Sequence, residues 1–273
     1  MAGVLRRPAV LLGLLVLAVV VAMAAAAPWV APFPPNRLSV VNRLQPPSTL
    51  HLFGTDEFGR DGFSRAIYAG RQSLLVGAGV VVISGAVGTA AGLLAGFFRR
   101  LDTPLARLID AAMAFPDILL AIALVAALGP SAVTVVLALS IVYAPRLARI
   151  VRASTLVIRE LPYVEAARAL GVSTPRIMTR HVLRNLLSPV LVQATFTFAY
   201  ALLAEAGLSF LGLGVSPDVP TWGTMIAAGR DYVGRADWMT VFPGLAIVVT
   251  AVSLQMVGDG LRDALDPRLR KDI

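Results

Sequence analysis

The chain has 273 residues, 57% of them hydrophobic and only 15% charged, whereas a soluble domain is nearer a quarter charged. It contains no cysteine, which excludes disulfides, thiolate metal sites and cysteine nucleophiles. The net charge of +8 is nearly all arginine, and the sole lysine, Lys271, is followed by Asp272 in the tail, so a standard P-loop ATP site is excluded.

The apolar residues fall in blocks long enough to cross a bilayer, which takes about 20 residues each. The first block, 9–27, follows Arg6 and Arg7. It is long for the apolar core of a signal peptide, and Pro28 would sit just after the candidate cleavage site at 24–27, so a retained span is expected. A polar, proline-rich stretch covers 28–71. The second span, 74–98, contains Gly85, Gly88, Gly92 and Gly96, giving the GxxxG spacing twice; small residues on one face let helices approach closely. Arg99, Arg100 and Arg107 bracket a short loop, with Asp110 three residues after Arg107 and within pairing reach. A third span, 108–128, is interrupted by Pro116 and Asp117 and ends at the Gly129–Pro130 turn. The fourth span is 132–148, the fifth 189–213 and the sixth 239–257, before a charged tail at 258–273. Between the fourth and fifth lies a basic elbow, 149–184, and between the fifth and sixth a polar loop, 215–238.

Six spans place both termini on one side. That side holds 17 of the 24 basic residues: Arg6, Arg7, Arg99, Arg100, Arg107, eight arginines from Arg146 to Arg184, and Arg262, Arg268, Arg270 and Lys271. The positive-inside rule makes it cytoplasmic and turns the loops 28–71 and 214–238 outward. Arginines gathered at one set of loops speak for membrane orientation rather than nucleic acid binding. The expected architecture is all-α and polytopic: an N-terminal helix with its external segment (1–70), a five-helix core (71–262) and a cytoplasmic tail (263–273).

The elbow carries helix signals. Pro162 suits a first helical turn and Glu165 the positive end of the helix dipole. Gly171 suits a left-handed close, and Ser173 or Thr174 with Pro175 a second start. The second helix sets Arg176, Arg180 and Arg184 four residues apart. From spacing alone, two readings stand: a loop lying on anionic headgroups, or a rigid knob docked in a groove of a soluble partner.

Glu205 and Asp117 lie inside spans, where an acid is costly and is a candidate for the translocation path. Packing through hydrogen bonds is the alternative for Glu205, and capping a shortened helix the alternative for Asp117. His51 and His181 fall on opposite sides of the membrane and share no metal site. Trp222 and Trp238 suit a membrane-boundary belt.

The segment "EAARALG" (165–171) resembles the EAA loop of ABC-importer permeases; Glu165, Ala166, Ala167 and Gly171 match, with Arg184 where the family usually has proline. The segments "HLFGTDEFGRDGFSRAIYAGRQSL", "LIDAAMAFPDILLAIALVAALGP", "LAEAGLSFLGLG", "TWGTMIAAGRDY" and "FPGLAIVVTAVSLQMVGDGLRDALDPRLR" are similar, in order, to the "C"-type permeases of the dipeptide, oligopeptide and nickel group. The resemblance implies a type I importer permease with cytoplasmic coupling helices in the plasma membrane. It implies a second permease subunit, two ATP-binding subunits holding the ATP and magnesium, and an extracytoplasmic substrate-binding protein. Glu165, Ala166, Ala167, Leu170 and Gly171 would dock the ATPase. Asp56, Glu57, Asp61, Asp218, Trp222 and Asp231 would meet the binding protein from outside. No cofactor, metal, catalysis or nucleic acid is expected of this chain. An ion- or proton-coupled carrier using Glu205 and Asp117 is the rival reading, and a membrane assembly protein a third.

Overall fold

The computed structural model describes residues 8–216 and 218–265. Arg6, Arg7, Arg268, Arg270 and Lys271 lie outside the described residues. In order, the helices are α1 (Pro8–Ala25), the single turn α2 (Ala27–Val30), α3 (Gly62–Phe97), α4 (Arg99–Ala112), α5 (Asp117–Leu128) and α6 (Ala132–Ile158). Then come α7 (Pro162–Ala169), the short α8 (Thr174–Arg176), a π-turn (Ile177–Val182), α9 (Leu183–Phe210), α10 (Trp222–Gly229) and α11 (Trp238–Leu265). Five helical segments are long and apolar enough to cross a bilayer, or six if α4 and α5 form one bent span. No β-strand occurs among the described residues.

The interrupted third span resolves into two helices meeting at 85°. Pro116 disfavours helical backbone at Phe115, so the chain breaks there. The 12 residues of α5 rise about 18 Å, short of a hydrocarbon core of about 30 Å. α4 is an amphipathic helix that buries Ile109 and leaves its arginines exposed.

The second span begins at Gly62 rather than at 74. Asp61 caps it, accepting the Ser64 amide at 2.7 Å. The polar first turns are satisfied by the preceding segment: Arg65 donates to the Pro35 carbonyl at 3.2 Å and to Asn36 Oδ1 at 3.1 Å. α3 and α6 form the central pair. Gly88, Gly92 and Gly96 receive α6 so closely that a Cβ on Gly88 would stand 2.7 Å from the Ala144 carbonyl oxygen, while Gly85 faces open space. The expected stripe is used from Gly88 onward. Val76 and Val80 of α3, Val125 of α5, Val135 and Leu139 of α6 and Leu208 of α9 make the adjoining core.

α6 continues ten residues past the expected end, to Ile158, and so carries three arginines along α4 and α5. Arg152 pairs with Asp102 at 2.6 Å, Arg149 with Asp110 at 2.6 Å and Arg146 with Asp117 at 2.9 Å. Asp110 therefore reaches across to α6 and not to Arg107 on its own helix. The fifth span is one continuous helical run from Thr174 to Phe210; Pro189 sits inside it, and Arg184 lies in ordinary helix.

At the other end of the bundle, residues 31–61 and α10 form a layer over α3, α9 and α11. Trp238 Nε1 donates to the Thr55 carbonyl at 3.0 Å, and Phe53 stacks on Phe242 with centroids 4.0 Å apart.

Candidate functional site

α7 is a short knob held by its own ends. Pro162 opens it, with Leu161 in extended backbone. Gly171 closes it at φ +75°: its amide donates to the Arg168 carbonyl at 3.0 Å, and the Val172 amide reaches the Ala167 carbonyl at 3.0 Å. These are the two bonds of a Schellman motif, and a side chain at Gly171 would be strained. Val164 and Ala167 face inward on Ile177, Val182 and Leu186. Glu165, Ala166, Arg168 and Ala169 face out, and Leu170 is 84% exposed. Of the five residues expected to dock a partner, Ala167 is the one turned inward, where its small side chain sets the closeness of α7 to the helix behind. The knob's approach is fixed from α3, whose last turn accepts Arg159 at the Gly96 carbonyl, 2.6 Å away.

Glu205 sits in a closed polar knot, 1% exposed. Its Oε1 accepts from Ser209 Oγ at 2.8 Å and from Thr221 Oγ1 at 2.9 Å. Oε2 has no hydrogen-bond partner. Thr221 also caps α10 in a reciprocal capping box with Thr224. Glu205 therefore ties the loop helix to α9.

Asp117 occupies the first turn of α5 without capping it; its partner is Arg146. The Arg146 guanidinium also lies 5.6 Å from the Tyr200 ring centroid, and Tyr143 reaches the Tyr200 carbonyl at 3.5 Å. The expected topology counted Arg146 with the arginines of the cytoplasmic side; it lies within α6, as its place in the expected fourth span implies, and the longer α6 adds Arg149 and Arg152 to the same helix. Tyr200 carried no signal in the sequence, because its position beside Arg146 depends on the packing of α9 on α6.

The residues expected to meet a binding protein divide. Trp222 is interior, 3% exposed, with Nε1 donating to the Ala66 carbonyl at 3.0 Å and its amide to Ser73 Oγ at 3.1 Å. It is an anchor in the helix bundle, not a belt residue. Asp56 and Asp61 are buried. Asp56 accepts the amides of Phe58 and Arg60, each at 2.9 Å, and Arg60 Nε at 2.6 Å. Asp61 holds the α3 cap and the His51 ring, 2.8 Å away. Asp218 and Asp231 remain exposed. Glu57, Arg60, Arg65, Asp218 and Arg230 line a cleft of about 600 Å³. Glu57 is half-buried, and burial pushes its carboxyl above the usual carboxylate range. Among the described residues, no group of three or more His, Asp or Glu side chains is arranged to hold a metal ion.

Comparison with known proteins gives this geometry a family. Residues 88–271 match the family model described as binding-protein-dependent transport system inner membrane component, and residues 4–47 match the N-terminal TM domain of oligopeptide transport permease C. The di/tripeptide transport system permease protein DppC of Pseudomonas aeruginosa is 46% identical over 94% of this chain and 88% of its own. A dipeptide transport system permease protein DppC of Alkalihalophilus pseudofirmus is 46% identical over 84% of this chain and 76% of its own. A solved chain of the MetNI methionine ABC transporter, in inward facing conformations, shares the fold at 19% identity with a TM-score of 0.59, covering 71% of this chain and 93% of that one. With its several apolar spanning helices and these matches, the chain belongs to the family of binding-protein-dependent transport system inner membrane components, the multi-pass permease subunits of ABC transporters.

Proposed function

We propose that this chain is one of two paired permease subunits in an ATP-driven importer of di- and oligopeptides. The second permease completes the pore. Two ATPase subunits, which hold the ATP and magnesium, sit on the cytoplasmic face, and a substrate-binding protein delivers cargo from outside. Both termini and α7 are cytoplasmic in this reading, supported by the arginine distribution. The peptide cargo is supported by the relatives at 46% identity, both named for dipeptide or di/tripeptide transport.

The observation that carries the reading is the exposed face of α7. A leucine 84% exposed stands on a knob with fixed ends, beside Glu165, Ala166 and Arg168. Small and apolar groups suit insertion into a groove, and the charged neighbours fix register through charge-assisted hydrogen bonds. A lipid-surface loop instead needs basic residues around an apolar face, and this face carries Glu165 at its centre. With no P-loop in the chain, energy for alternating access arrives through this contact. Closing of the ATPases draws the two permeases' knobs together and swings the spans.

The test is peptide uptake by the whole transporter in proteoliposomes. Glu165→Lys and Gly171→Pro are expected to leave insertion and assembly of the permease pair intact and to cut ATP-driven uptake at least tenfold. Uptake at the wild-type rate by both variants would contradict the docking assignment.

A further inference from the structure

The Asp117–Arg146 pair lies deep in the bundle. Counted from the helix ends on the α10 side at 1.5 Å per residue, Asp117 is about 17 Å down α5, Arg146 about 21 Å down α6 and Tyr200 about 15 Å down α9. Three separate helices thus agree on a depth near the middle of a hydrocarbon core of about 30 Å.

At that depth the group is open. The Arg146 side chain is 38% exposed, that of Asp117 46% and Tyr200 43%. The break between α4 and α5 lies alongside, with Phe115 62% exposed. Pro145, inside α6, has no N–H to give the Ile141 carbonyl. Charged side chains and irregular backbone do not face lipid at mid-membrane; they face protein or a water-filled path. The ion pair and the broken helix are independent observations, and both exclude lipid from this face.

A dry subunit interface would bury the pair fully and gain little, because desolvation offsets the attraction. A path for peptides has a use for it. A free di- or oligopeptide carries an ammonium and a carboxylate, and Arg146 and Asp117 are their complements. Exchange costs little, since each broken charge-assisted bond is replaced by one of the same kind.

Resting on the importer reading above, we propose that Asp117, Arg146 and Tyr200 form a mid-membrane station on the translocation path that takes the charged ends of a zwitterionic peptide. The internal pair opens as the peptide carboxylate replaces Asp117 on Arg146 and the peptide ammonium replaces Arg146 on Asp117. Tyr200 gives the guanidinium an aromatic face while it changes partner.

Two measurements on the assembled transporter test this. The first uses the absence of cysteine in this chain. In Tyr200→Cys, a charged, membrane-impermeant methanethiosulfonate is expected to label the chain, and dialanine with ATP to slow labelling at least threefold. Val248→Cys lies about 15 Å down α11, at the same depth, and is expected to stay unlabelled. Tyr200→Cys as unreactive as Val248→Cys would overturn the proposal. The second compares dialanine with dialanine amide at saturating loaded binding protein. Arg146→Gln is expected to lower the maximal rate for dialanine at least tenfold and for the amide less than twofold, with unchanged half-saturation. An equal loss for both cargoes means a structural prop, and wild-type rates for both mean no contact; either overturns the station. If the wild-type complex shows no ATP-dependent uptake of either cargo, the importer reading itself falls, while the labelling result still reports whether the site is wet.

Discussion

Thr221 Oγ1 donates to Glu205 Oε1 at 2.9 Å, joining the cap of α10 to the last two turns of a spanning helix, α9. Gly223, two residues on, packs so closely that a Cβ would stand 2.7 Å from the Ala206 Cα. The loop helix is therefore built into the bundle, and the carboxylate is its hook.

Removing the hook should loosen the loop helix. Glu205→Ala strands the buried Ser209 hydroxyl and takes one partner from Thr221, whose hydroxyl keeps Thr224, at about 1–3 kcal/mol for a lost partner. Glu205→Gln keeps an acceptor oxygen and is expected to cost less than about 1 kcal/mol. Thermal unfolding of the detergent-solubilised chain, followed by fluorescence, should rank wild type and Gln together and Ala well below. Equal melting of Ala and wild type would remove the hook from the account.

The α3–α6 seam offers a sharper packing test. Gly92 meets the Ala148 carbonyl and the Val151 side chain, whereas Gly85 meets nothing within 4 Å. Gly92→Leu is expected to destabilise by about 1–3 kcal/mol or more through overpacking. Gly85→Ala is expected to be neutral or to gain up to about 1 kcal/mol of helix propensity. Paired melting curves of the two variants check this.

These cases mark what the sequence made readable. The glycine spacing, the left-handed close at Gly171 and the interruption at Pro116 are local signals, and each is where the sequence puts it. The start of α3 was hidden because Ser64 and Arg65 read as polar loop; their partners, Asp61, Pro35 and Asn36, are supplied by the folded segment before the helix. Trp222 has the same problem at longer range, since its indole partner Ala66 is 156 residues away. Arg146 fell inside the expected fourth span but was counted with the basic residues of the cytoplasmic side; its pairing with Asp117 depends on how α6 packs on α5. α7 itself was legible as a short helix closed at Gly171, but which of its faces are exposed required the packing of Val164 and Ala167.

Glu57 gives a pH dependence. Burial raises its carboxyl above the ordinary glutamate value of about 4.3, and Oε2 has no partner. The folded segment therefore binds more protons than the unfolded chain between the ordinary and the raised value. Stability falls as pH rises through that window. Glu57→Gln is expected to flatten this slope and to melt above wild type at neutral pH. A wild-type slope that persists in the variant would assign the dependence to another group.

The claim on which the rest depends is that force enters through α7. Leu170→Cys supplies a unique thiol on the exposed knob of an otherwise cysteine-free chain. In an assembled transporter shown to take up peptide with ATP, a short thiol cross-linker at this position is expected to capture an ATPase subunit, and the product should carry that subunit's mass. A transporter active in ATP-driven uptake in which Leu170→Cys never captures the ATPase, while remaining freely reactive to soluble thiol reagents, would contradict the account.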